Sequence, residues 1–127
     1  MAIYRQNLEQ HFELKKANDW VALHPKTGFD LTGFRTTRIA KLSNSNEFHF
    51  TIGATKLGET RQLNETIRAI IRGEGIAVVE SQTTSGTIKP KKEYPGFSLR
   101  KLTVSNFDSI VLQVFDAIKQ VQSDNSA

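Results

Sequence analysis

Apolar residues three and four positions apart mark the longest regular stretch of the chain. Phe107, Ile110, Val111, Val114, Ile118 and Val121 form one stripe of "SNFDSIVLQVFDAIKQVQ" and predict a helix over 105–122, with Ser105 as its cap and Asp108 three residues on. Leu112 and Phe115 lie beside that stripe and widen the apolar surface. Two readings follow: a helix sunk in its own core, or one that covers a second partner. A shorter helix is predicted in "RQLNETIRAIIRG", where Leu63, Ile67, Ile70 and Ile71 share a face, Glu65 is spaced to pair with Arg68, and Gly73 supplies a stop.

Elsewhere the period drops to two. In "EFHFTI", Phe48, Phe50 and Ile52 alternate with Glu47, His49 and Thr51, the signature of a half-buried strand. "FRTTRIAKL" precedes it through the turn "SNSN", so 34–53 reads as a hairpin. "GIAVVESQ" reads as a strand and Gly86 as part of the turn after it. Pro90 and Pro95 bar continuous central pairing, which leaves a second strand around "GFSLRK". "HFELKKANDWVAL" reads as a hairpin turning at "KAND", with Phe12 and Leu14 facing Trp20 and Ala22, while "IYRQNLEQHF" would equally start a helix. The order of strands, helix, strands, helix predicts an α+β fold with antiparallel strands.

The chain has 127 residues, the size of one domain, placed at 1–122 with a polar tail at 123–127. It has no cysteine, hence no disulfide, thiolate zinc site or cysteine nucleophile. No apolar run approaches the roughly 20 residues that span a bilayer, and the polar start "MAIYRQNLEQHF" lacks a secretory core, so the expected setting is intracellular: cytoplasm, nucleoid, or host cytoplasm for a viral protein.

Charge changes the picture more than size does. Lys and Arg number 17 against 13 Asp and Glu; Lys89, Lys91, Lys92, Arg100 and Lys101 stand with the single acid Glu93 in 86–101, so the remainder balances at twelve each. A positive charge confined to one stretch is either a solvated basic face or the footprint of a polyanion-binding surface. Catalytic patterns are lacking. His11, His24 and His49 lie far apart, no phosphate-cradling glycine loop or nucleophile elbow occurs, and the carboxylates sit mostly beside bases, as in "GETR". No cofactor, metal or catalytic residue is expected; a small nuclease subunit would need Asp30, Glu47 and Glu80 to converge on a metal.

What remains is bases mixed with rings. "KPKKEYPGFSLRK" sets Tyr94 and Phe97 among five bases, and the 34–53 hairpin sets Arg35, Arg38 and Lys41 near Phe48, His49 and Phe50. Such a mixture suits a single strand, whose phosphates meet Lys and Arg while unpaired bases stack on rings. Phe48, Phe50 and Phe97 read more simply as core, which leaves Tyr94 as the better stacking candidate.

Residues 88–121, "IKPKKEYPGFSLRKLTVSNFDSIVLQVFDAIKQV", resemble the positive-cofactor-four family of single-stranded-DNA-binding transcriptional coactivators, which has bacterial and phage relatives. The shared features are a strand, a Lys-Pro-basic hairpin, a Gly-hydrophobic-Ser-Leu strand and a C-terminal helix opened by an aromatic, here Phe107. The Whirly and Pur-α architecture, strand-rich units each ending in a helix, is a related likeness that accommodates the inserted helix.

The resemblance implies a curved antiparallel sheet with a C-terminal dimerisation helix, and a homodimer paired through Phe107, Ile110, Val111, Val114, Phe115 and Ile118. It also implies single-stranded DNA, or RNA, on the basic surface of Arg35, Arg38, Lys41, His49, Lys89, Lys91, Lys92, Tyr94, Arg100 and Lys101. Transcription, replication or recombination would be the process served. The alternative is a protein-protein adaptor that docks a partner on the apolar helix.

Overall fold

A computed structural model describes residues 5–26, 28–29, 31, 34, 38–52, 57–80 and 95–124. Among these the fold is α+β: α1 (Arg5–Glu9), β1 (Phe12–Lys16), β2 (Trp20–Pro25), β3 (Ala40–Ser43), β4 (Glu47–Phe50), α2 (Leu57–Gly73), β5 (Val79–Glu80), β6 (Pro95–Ser98), a 3₁₀ turn (Leu99–Lys101) and α3 (Val104–Asp124). The described strands form one sheet in the order β1-β2-β3-β4-β6-β5, and each neighbouring pair is antiparallel. Since β4 and β5 both run antiparallel to the β6 between them, they are parallel to each other. Parallel strands need a crossover, and α2 is that crossover. The inserted helix is therefore what allows β6 to sit between β4 and β5.

Both hairpins form, with one change of register. The turn after β3 is closed by Asn46 N–H donating to Ser43 C=O (3.0 Å), with Asn46 in the left-handed region at φ 63°, a conformation Asn tolerates better than most residues. In the first hairpin Leu14 faces Leu23 and Lys15 faces Ala22, so Phe12 and Leu14 do not share a face with Trp20 and Ala22 as expected. A one-residue shift moves each side chain to the other side of the sheet. Trp20 is thereby placed on the face opposite Phe12 and Leu14.

The inner face is read across the strands. Leu14, Leu23, Ala40 and Phe50 form one row; Val21, Leu42, Phe48 and Phe97 form the next, and all belong to the core or pack against it. Phe48, Phe50 and Phe97 are fully buried, with the Phe48 and Phe97 rings stacked at 5.0 Å. Helix α3 lies on this face through Phe107 against Phe48 (5.5 Å between ring centroids) and Phe115 against Phe12 (5.7 Å). The stripe assigned to a partner helix is thus covered by the chain itself: Phe107, Ile110, Val111, Val114 and Ile118 are all fully buried within one copy. Their reading as a dimer surface finds no support in this burial. Phe115 is half-buried, and Leu112 is the exposed large apolar side chain among the described residues.

Helix ends depart from expectation for local reasons. The cap of α3 is Thr103, whose hydroxyl accepts from Asn106 N–H at 3.0 Å while its carbonyl accepts from Phe107 N–H, and the helix runs through Ser123 to Asp124, two residues into the stretch taken as tail. Helix α2 begins at Leu57, earlier than expected, and its stop is Gly75 at φ 78° rather than Gly73. Ile76 N–H reaches Ile71 C=O and Gly75 N–H reaches Arg72 C=O, the paired bonds of a glycine-closed helix end. Between them Glu74 accepts from Asn106 Nδ2 (3.0 Å) and Ser109 Oγ (3.3 Å), tying the end of α2 to the start of α3. Arg68 turns inward and is buried, while Glu65 stays exposed.

Candidate nucleic-acid interface

Residues that alternate with the core positions occupy the outer face of the sheet. Cross-strand pairing lines up Lys15, Ala22, Lys41, His49 and Gly96 in one row on β1, β2, β3, β4 and β6. Trp20, paired with Ser43, stands one row away on the same face. Lys15 is exposed; Trp20, Lys41 and Glu47 are half-buried, as side chains on an open sheet face are.

Trp20 organises the centre of this face. The Arg38 guanidinium carbon lies 4.8 Å from the indole centroid and the Lys41 Nζ 5.9 Å from it, both within cation-π range. Arg38 is further fixed by its Nε–H donating to Thr51 Oγ1 at 3.3 Å. Rigid aromatic area with two permanent cations close by can hold an unpaired base and the phosphates beside it. Trp20 did not stand out in the sequence because its face depends on the register of the first hairpin.

His49 closes the row at the β6 side. A β-carbon at Gly96 would fall 2.8 Å from its Cε1, so the ring occupies the space that any other residue at 96 would need. Its Nε2 lies 3.4 Å from Glu47 Oε2, and Nδ1 is buried with no hydrogen-bond partner among the described residues. Burial first, and then the charge of Lys41, hold this imidazole below its ordinary value of 6.5, against an opposing pull from Glu47.

The expected basic residues divide into three groups. Arg38, Lys41 and His49 converge on the outer face. Arg100 and Lys101 are exposed on the 3₁₀ turn, where Leu99 N–H donates to Asn46 C=O (3.2 Å), at the end of the sheet that also carries the β3–β4 turn. Arg35, Lys89, Lys91, Lys92 and Tyr94 lie outside the described residues. So does Asp30 of the imagined metal set, while Glu47 and Glu80 pair with Ser98 and Pro95, two strands apart and three positions offset along β6. Among the described residues no group of three or more His, Asp or Glu is placed to hold a metal ion.

A second histidine-carboxylate pair forms across 97 residues of chain: His11 Nε2 and Asp108 Oδ1 are 2.8 Å apart, with the rings of Phe12, Phe107 and Phe115 about the imidazole. It joins the α1–β1 corner to the first turns of α3. No helix of the described residues is long and apolar enough to cross a membrane. No protein family, curated protein or solved structure matches this chain.

Proposed function

We propose that this protein binds single-stranded DNA, largely without sequence preference, on the outer face of its sheet and without doing chemistry on it. The observation that carries the reading is the Trp20 ring within cation-π range of both Arg38 and Lys41, on the face opposite the one α3 covers. A duplex keeps its base faces stacked and offers nothing to a ring on the sheet face, whereas a single strand presents both bases and phosphates. The positive charge concentrated in 86–101 of the sequence supports the same reading, and of its five bases Arg100 and Lys101 stand at one end of the sheet.

The adaptor reading drew on the apolar stripe of α3. Most of that stripe is used in the chain's own core, which leaves Leu112 and part of Phe115. Single-strand binding therefore accounts for more of the surface.

Trp20 is the single tryptophan of the chain, so intrinsic fluorescence reads the site directly. Titration with oligothymidylate should quench it, with affinity falling as salt rises by a log-log slope of about −0.7 per phosphate neutralised. Duplex DNA of equal length should bind more weakly, and a uridylate series decides whether RNA is also taken. Equal affinity for single strand and duplex at moderate salt rejects the reading.

A further inference from the structure

We infer that the single strand crosses the sheet at right angles to the β-strands, along the row Lys15–Ala22–Lys41–His49, with one base on Trp20. The inference rests on the single-strand reading above and adds to it a path, a direction and the residue Lys15. The row is defined by backbone pairing: Lys15 faces Ala22, Ala22 faces Lys41, and Lys41 faces His49. With strands about 4.8 Å apart, Lys15 and Lys41 stand roughly 10 Å from each other and the four positions span roughly 15 Å.

Charge selects this row over its neighbours. It holds two lysines and a histidine and no acid. Two residues back along β1, Glu13 faces His24 in the next row; two residues back along β4, Glu47 stands in the Trp20–Ser43 row and faces Ser98. A polyanion laid along either flanking row would meet a carboxylate within that row, and one laid between them meets Lys15 and Lys41, with the Glu47 carboxylate reaching in only at the His49 end. Trp20 then lies beside the path, where a base turned away from the phosphates can reach its ring, and the Arg38 guanidinium lies 4.8 Å from that ring's centroid.

The adjacent lysine supplies an internal control. Lys16 is as exposed as Lys15, but it pairs with Val21 in the row that continues through Leu42, Phe48 and Phe97, and so belongs to the inner side of the sheet. Removing either takes one positive charge from the same edge strand. Only Lys15 lies on the inferred path.

The test is the salt dependence of oligothymidylate binding to the full chain, read by Trp20 fluorescence, for the unaltered protein, Lys15→Ala and Lys16→Ala, with circular dichroism to verify the fold. Lys15→Ala should make the log-log slope shallower by about 0.7 while Lys16→Ala leaves it unchanged. Equal changes in the two variants, with binding intact, overturn the path and leave single-strand binding standing. No binding of oligothymidylate by the unaltered protein overturns the underlying reading and the path with it. Displacement of the oligonucleotide by poly-glutamate at equal charge concentration would show that an acidic peptide fits the row as well, and overturns the assignment to a nucleic acid.

Discussion

The imidazole of His49 packs against the α-carbon of Gly96, its partner across the β4–β6 ladder, filling the volume where a side chain at 96 would begin. Gly96 is buried in the middle of the sheet, so the ring has little room to retreat. Gly96→Ala should therefore destabilise the fold by about 1–3 kcal/mol, the usual range for overpacking a filled site. Urea unfolding followed by far-ultraviolet circular dichroism measures it; an unchanged midpoint would mean that the ring moves aside freely.

His49 also makes stability depend on pH. Burial and Lys41 lower the pKa of His49 in the folded chain below its ordinary value of 6.5, so between the two values the unfolded chain binds more protons. Stability from this residue is full above 6.5, declines as the pH falls toward the folded value, and levels off below it. Urea midpoints taken from pH 7.5 downward should fall through that window, and the fall should shrink in His49→Gln. An equally steep fall in the variant would place the titration elsewhere.

Trp20→Ala tests the candidate site without touching the core. Loss of one base stack is worth roughly 1–3 kcal/mol, about a 5- to 150-fold weaker affinity for oligothymidylate, here measured by anisotropy of a labelled strand because the intrinsic signal is gone. Trp20→Phe should retain most of the affinity. Equal binding by Trp20→Ala would remove the ring from the interface.

Intrachain burial of the α3 stripe predicts a sharp contrast between neighbours on that helix. Phe107→Ala should cost about 3–5 kcal/mol, as for a fully buried ring whose cavity cannot collapse, whereas Leu112→Ala at an exposed position should stay within about 0.5 kcal/mol. Thermal melts of the two variants report the difference. Similar small losses in both would return the stripe to a surface role.

The cap of α3 separates local from tertiary expectation in a further pair. Thr103→Ala should cost about 1 kcal/mol because Thr103 satisfies Asn106 N–H, while Ser105→Ala, inside the first turn and exposed, should change little. The reverse order would restore Ser105 as the cap.

Much of this fold is legible in the chain because hydrophobic period is a local property. The i, i+3, i+4 recurrence from Phe107 to Val121 and the alternation through Phe48 and Phe50 reveal α3 and β4 without reference to anything distant, and "KAND" and "SNSN" mark both hairpin turns. The α+β class follows from the order of those periods. Partners are a different matter. That the α3 stripe meets Phe12 and Phe48 rather than a second copy depends on how the sheet and helices close together, and no spacing within the helix encodes it. Lys15, Lys41, His49 and Gly96 become one row only when four separate registers are set, and Trp20 joins their face because Leu14 pairs with Leu23. A shift of one residue would have turned it inward. The sequence by itself thus determined which segments are helix or strand and that basic residues are in excess; the tertiary structure decided which side chains share a surface, because strand register relates distant residues and inverts a face with each single step.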